Sequence, residues 1–85
     1  GVTQEDLAFW AAVQKDIRYT TVPYLYEMIA NAELLQRAED FVCVGVPGMA
    51  ELRQLSHPGS LKALERALSQ FAGRPLALRT EVLDG

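Results

Sequence analysis

The apolar positions of the C-terminal third fall into two periods. Leu61, Leu64, Ala67, Leu68 and Phe71 recur at the spacing of one helical face. Gly73 follows where a left-handed residue ends a helix, and Pro75 prevents its resumption. Leu76, Leu78, Thr80 and Val82 then alternate with Ala77, Arg79 and Glu81, the period of a strand with one buried face. A helix feeding a half-buried strand cannot cover its own apolar face, so the pattern demands a sheet supplied from upstream. No catalytic group lies in this unit, which points to a binding module.

Upstream, Thr3 stands three residues before Asp6, a helix N-terminus signal, and Leu7, Trp10, Val13 and Ile17 mark one face of a first helix with Phe9 off the stripe. Thr20-Thr21-Val22-Pro23 breaks the pattern, and proline is tolerated in the first turn of a new helix. Val22, Leu25, Ile29 and Ala32 predict the buried stripe of that second helix, which ends near Ala30 or Asn31. Two strands follow, over 33–38 and 41–46, joined by a tight turn at Glu39-Asp40. Phe41-Val42-Cys43-Val44, aromatic and β-branched, is the stronger of the two. Pro47-Gly48 ends it, Met49, Leu52 and Leu55 predict a short helix, and His57-Pro58-Gly59 interrupts before the long one. The order α-α-β-β-(α)-α-β makes an α+β fold, a three-stranded sheet packed against helices. The last strand is expected beside one of the first two, after a crossover.

At 85 residues the chain is one domain, large enough for a core and too small for a deep cleft as well. The formal charge of −3 argues against nucleic acid as the main partner. The imbalance is local: residues 1–42 hold seven acids against three bases, and residues 43–85 hold four against five. The single cysteine, Cys43, excludes an internal disulfide and fits a reducing, cytoplasmic compartment. No apolar run approaches the roughly 20 residues of a membrane span, and there is no secretory signal pattern. Glycine at both ends and the missing initiator Met make the chain read as a piece excised from a larger protein.

Candidate chemistry is sparse. Gly45-Val46-Pro47-Gly48 is a G-x-x-G, the tetrad with which KH domains clamp a nucleic-acid backbone. Such a clamp joins two helices and carries basic residues, whereas this tetrad ends a strand, so a turn is the favoured reading. Gly45, Gly48 and Arg53 are its nucleic-acid alternative. His57, the only histidine, has no ligand partner at metal spacing. Cys43, flanked by valines, reads as a buried thiol of low reactivity. No catalytic residue, metal or cofactor is expected. What remains is surface: the predicted stripe leaves Tyr24, Glu27 and Met28 on other faces of the second helix, with Tyr26 at the boundary and Tyr19 just upstream. Aromatics and Met are enriched in interface cores, so Tyr19, Tyr24, Tyr26 and Met28 are the candidate partner contacts, set against the alternative that they pack inward. Arg53, Lys62, Arg66 and Arg74, interspersed with Glu51 and Glu65, read as a solvated face.

A Trp in the first helix, the strand DFVCVGVPG, the turn MAELRQL and the segment LERALSQFAGRPLALRTEV together resemble the C-terminal region of the tau (gamma/tau) subunit of bacterial DNA polymerase III. The resemblance covers nearly the whole chain and rests most on Leu64–Ser69 with its Gly73-Arg74-Pro75 exit and on the VGVPG strand end. The same plan is similar to the N-terminal domain of the initiator DnaA, itself similar to KH folds. The resemblance implies a KH-like interaction domain of the clamp loader, without the ATPase module, that contacts the polymerase III alpha subunit or the replicative helicase. In that family part of the alpha contact lies in a tail beyond the globular fold, and this sequence stops at Gly85. A DnaA-type helicase-contacting domain and a KH-like nucleic-acid binder are the alternatives. The resemblance carries over no individual binding residue and no oligomeric state.

Overall fold

A computed structural model describes residues 1–83. The elements are α1 (Gln4–Thr20), α2 (Pro23–Ala30), β1 (Glu33–Arg37), β2 (Phe41–Val46), α3 (Met49–Ser56), α4 (Pro58–Ala72) and β3 (Ala77–Val82). This is the expected α+β order of helices and strands. The sheet runs β1-β2-β3, with β1 antiparallel to β2 and β3 parallel to β2. The crossover from β2 to β3 is the α3–α4 pair. No helix among the described residues is long and apolar enough to cross a membrane.

The local signals act as their chemistry dictates. Thr3 and Asp6 form a reciprocal capping box at the start of α1, each side chain meeting the other's backbone N–H at 3.1 Å. Asp6 also pairs with Arg37 at 3.5 Å. The Thr3 N–H, foremost, and the Arg37 cation hold the Asp6 carboxyl below its ordinary pKa. Gly73 takes φ +73°, and its N–H donates to the Ser69 carbonyl, closing α4. Ser69 then receives the Leu76 N–H at 2.9 Å, and Glu65 receives the Leu78 N–H at 2.8 Å, so α4 positions the chain that enters β3.

Val42, Val44 and Val46 of β2 face the helices and join Trp10, Val13, Ile17, Ile29, Leu34, Leu55, Leu64, Leu68 and Leu78 in one core. The opposite sheet face carries Phe41, Cys43 and Gly45 from β2, with Arg79 and Glu81 from β3. Burial departs from the predicted stripes at several points. Leu7, placed on the buried face of the first helix, is 46% exposed, at the edge of the face that Trp10, Val13 and Ile17 turn inward. Val22, placed in the second stripe, is 58% exposed, because it is the N-cap preceding that helix. Phe71 leans outward and meets Phe9 with ring centroids 5.8 Å apart. Phe9, off the stripe, is half-buried beneath the Arg37 guanidinium, 3.9 Å from its ring centroid. Strand β1 stops at Arg37, one residue short of Ala38, and carries an irregularity between Leu34 and Gln36.

Candidate functional site: the aromatic corner between α1 and α2

Two helices meet here with only Thr21 and Val22 between them. Thr21 closes α1: its N–H and its hydroxyl both donate to the Ile17 carbonyl, at 3.1 and 2.6 Å. Val22 opens α2 with no side-chain cap; its carbonyl receives the Leu25 N–H at 3.0 Å, and Pro23 occupies the first turn, where no N–H is needed. So short a connection leaves its flanking side chains nowhere to fold inward. Tyr19 is 73% exposed and Tyr24 59%, with Val22 between them in sequence.

Away from the corner, α1 pins the far end of α2. Trp10 Nε1–H donates to the Ala32 carbonyl at 3.0 Å, and Gln14 Nε2 donates to the Ile29 carbonyl at 3.0 Å. A helix C-terminus leaves its last carbonyls without intrahelical partners, and α1 supplies donors to those at the end of α2. The Arg18 guanidinium carbon lies 5.9 Å from the Tyr19 ring centroid and 5.7 Å from that of Tyr26, which ties the two rings to one cation. Beside the corner runs a groove of about 280 Å3, lined by Thr20, Thr21, Val22 and Leu25 on one side and by Ala63, Arg66, Ala67 and Gln70 of α4 on the other. Ala63 and Ala67 are one helical turn apart on α4, so two small side chains form that wall. The arrangement offers apolar rings, an apolar recess and two guanidinium groups, which suits an apolar anchor flanked by carboxylates.

The structure separates the four candidate contacts. Tyr19 and Tyr24 are exposed and belong to the corner, and Tyr26 is half-buried under Arg18. Met28 is corrected: at 8% exposure it belongs to the core, because α2 packs against α1, α3 and α4 together and buries more than one stripe. Val22, which the sequence reading placed inside, joins the surface instead. Its position next to Pro23, as the residue before a helix begins, was the available signal.

The Gly45–Gly48 tetrad spans the end of β2 and the start of α3 and does not join two helices. Gly45 is buried inside β2, where Leu83 and Leu35 close over the space a side chain would occupy, the latter leaving only 3.1 Å to an added Cβ. Gly48 is the N-cap of α3, and Arg53 lies exposed on that helix. The junction of two helices, where a clamp belongs, is Ser56-His57-Pro58-Gly59 instead. There His57 caps α4, its Nδ1 accepting the Gly59 N–H at 3.3 Å. Cys43 is buried as expected and donates its thiol to Glu81 Oε2 at 3.1 Å. Burial and the Glu81 carboxylate push its pKa up to about 11.

No family model, curated protein or solved structure matches the chain.

Proposed function

We propose that this chain is a protein-docking domain with no catalysis of its own, and that it binds its partner through the aromatic corner. The observation that carries the reading is the exposure of Tyr19, Val22 and Tyr24 around the α1–α2 junction, where Val22 lines a groove shared with Ala63 and Ala67. Tyrosine and arginine are the residue types that dominate binding energy at interface centres. Tyrosine does so because it presents a large rigid surface with few rotatable bonds. Thr21 closes α1 at the corner, and Trp10 and Gln14 tie the far end of α2 back to α1, so the two helices that carry the rings are joined before any partner binds.

The resemblance to the tau C-terminal region supports the further reading of this domain as a cytoplasmic part of the bacterial replisome. Its partner in that reading is the polymerase III alpha subunit or, in the DnaA-like variant, the replicative helicase. The test is chemical-shift mapping of the isotope-labelled chain against purified alpha subunit and, separately, helicase. The reading expects shifts centred on the amides of residues 18–26 and of Ala63, Arg66 and Gln70. Silence with both proteins would sink it. Salt-sensitive shifts at Ser56–Gly59 on adding single-stranded DNA would favour the nucleic-acid alternative, since phosphate contacts weaken steeply with salt.

A further inference from the structure

The parallel ladder fixes which backbone groups of β3 face outward. The Ala77 N–H donates to the Asp40 carbonyl at 3.0 Å and the Leu83 N–H to the Val46 carbonyl at 2.8 Å, with a continuous register between. Residues 77, 79, 81 and 83 therefore bond to β2, and Leu78, Thr80 and Val82 point their N–H and C=O groups away from it. Strand β3 is a margin of the sheet. Helix α4 covers the beginning of that margin, through Ser69 on Leu76 and Glu65 on Leu78. Beyond Leu78 the outward groups of Thr80 and Val82 meet no partner among the described residues. The other margin, β1, is broken by its irregularity at Leu34/Gln36, a usual protection against strand pairing; β3 has none.

The side chains of this open margin read the same in both directions. Arg79 and Glu81 flank Thr80 on the sheet face away from the helices. An antiparallel pairing of two β3 strands about a two-fold axis at Thr80 sets Arg79 opposite Glu81 of the second copy, twice. It also sets Leu78 opposite Val82 on the helix side and Ala77 opposite Leu83. Centring the axis on Arg79 or Glu81 instead would oppose like charges, which is destabilising. Both charged side chains are already ordered on that face, Arg79 over the Phe41 ring at 3.9 Å and Glu81 on the Cys43 thiol.

We propose that β3 is a self-association edge, through which two copies of this chain pair antiparallel about Thr80 into one six-stranded sheet. Thr80 exchanges both its backbone hydrogen bonds with Thr80 of the second copy, and each Val82 N–H donates to the Leu78 carbonyl opposite. Glu65 is the competitor: in the single chain it occupies the Leu78 N–H that the Val82 carbonyl of the second copy would take. Lys62 and Arg66 line the same cavity of about 510 Å3 and receive the displaced carboxylate. Glu65 thus sets the concentration at which pairing begins. Strand β3 itself takes no part in the aromatic corner, although Arg66 borders both cavities, and the test of pairing needs no second protein, so the two proposals fail independently.

Sedimentation equilibrium of the 85-residue chain, from micromolar to millimolar, reads it directly. The weight-average mass is expected to rise from 9.4 kDa toward twice that value. Arg79→Glu or Glu81→Arg alone should weaken association by about tenfold, and the double exchange should restore it. Thr80→Pro removes only an outward N–H and should leave a folded monomer. Glu65→Ala should strengthen association. Circular dichroism verifies folding of each variant. A mass of 9.4 kDa throughout, a double exchange as weak as the single ones, or undiminished pairing by folded Thr80→Pro would each overturn the proposal.

Discussion

Trp10→Phe tests how strongly α1 holds the chain that leaves α2. The indole N–H meets the Ala32 carbonyl at 3.0 Å in a site where Trp10 is only 5% exposed. Phenylalanine keeps an aromatic ring but strands that carbonyl without water. Leaving a buried polar group unpaired costs about 1–3 kcal/mol. The smaller ring adds a cavity term of roughly 1 kcal/mol, so the expected loss is about 2–4 kcal/mol. Against a total of roughly 5–15 kcal/mol for a natural domain, that is a large share. Urea unfolding followed by far-UV circular dichroism measures it, since the substitution removes the only tryptophan. With a slope of about 1 kcal/mol per M for a chain of this size, the midpoint should fall by roughly 2 M or more. Gln14→Ala, at a half-buried position, should cost less, about 1 kcal/mol. A Trp10→Phe variant within about 0.5 kcal/mol of the parent, the range of an ordinary surface change, would refute the reasoning.

Three further outcomes follow from single positions. Gly73→Ala should cost about 1 kcal/mol, because φ +73° disfavours any side chain while nothing lies within 4 Å to clash; Gly73→Asn should cost less, and equal urea midpoints for parent and Ala variant would contradict this. Cys43, whose pKa is raised from 9.0 to about 11, favours folding only while the thiol stays protonated. Its contribution is therefore complete below about pH 9 and lost as pH rises toward 11, and Cys43→Ser should flatten that alkaline fall in thermal stability. Asp6, with its pKa lowered, acts in the opposite direction: its contribution is present above the ordinary value of 3.8 and lost below it, so Asp6→Asn should reduce the acid-side slope of the stability profile.

Much of the fold was legible because local and tertiary demands coincide. Gly73 ends α4 in the conformation its lack of a side chain permits, and the alternation after Pro75 puts Leu78 in the core. The branched and aromatic run 41–46 is the central strand. What sequence misjudged depended on how many neighbours an element has. A single-stripe reading fails for α2, where Met28 and Ile29 are both buried between other helices. It fails in the opposite sense at Leu7, which lies at the edge of the inward face of α1 and stays exposed. Phe9 shows a third case: a charged residue 28 positions away, Arg37, lies over its ring, and no period reveals that. Of the candidate site, Tyr19 and Tyr24 were readable as aromatics off the buried stripe. The groove against Ala63 and Ala67 was not, because it joins segments some forty residues apart in sequence.

In the proposed function the exposed rings at the α1–α2 corner bind a protein partner. Isothermal titration of the polymerase III alpha subunit and of the replicative helicase with the parent chain and with Tyr19→Ala/Tyr24→Ala tests it most directly. Both rings point into solvent, so the variant should keep its urea midpoint to within the range of ordinary surface changes. The parent chain should bind one of the two proteins, and the variant should lose tenfold or more in affinity, about 1.4 kcal/mol or above. Equal affinity of parent and variant, or no binding by the parent to either protein, would contradict it.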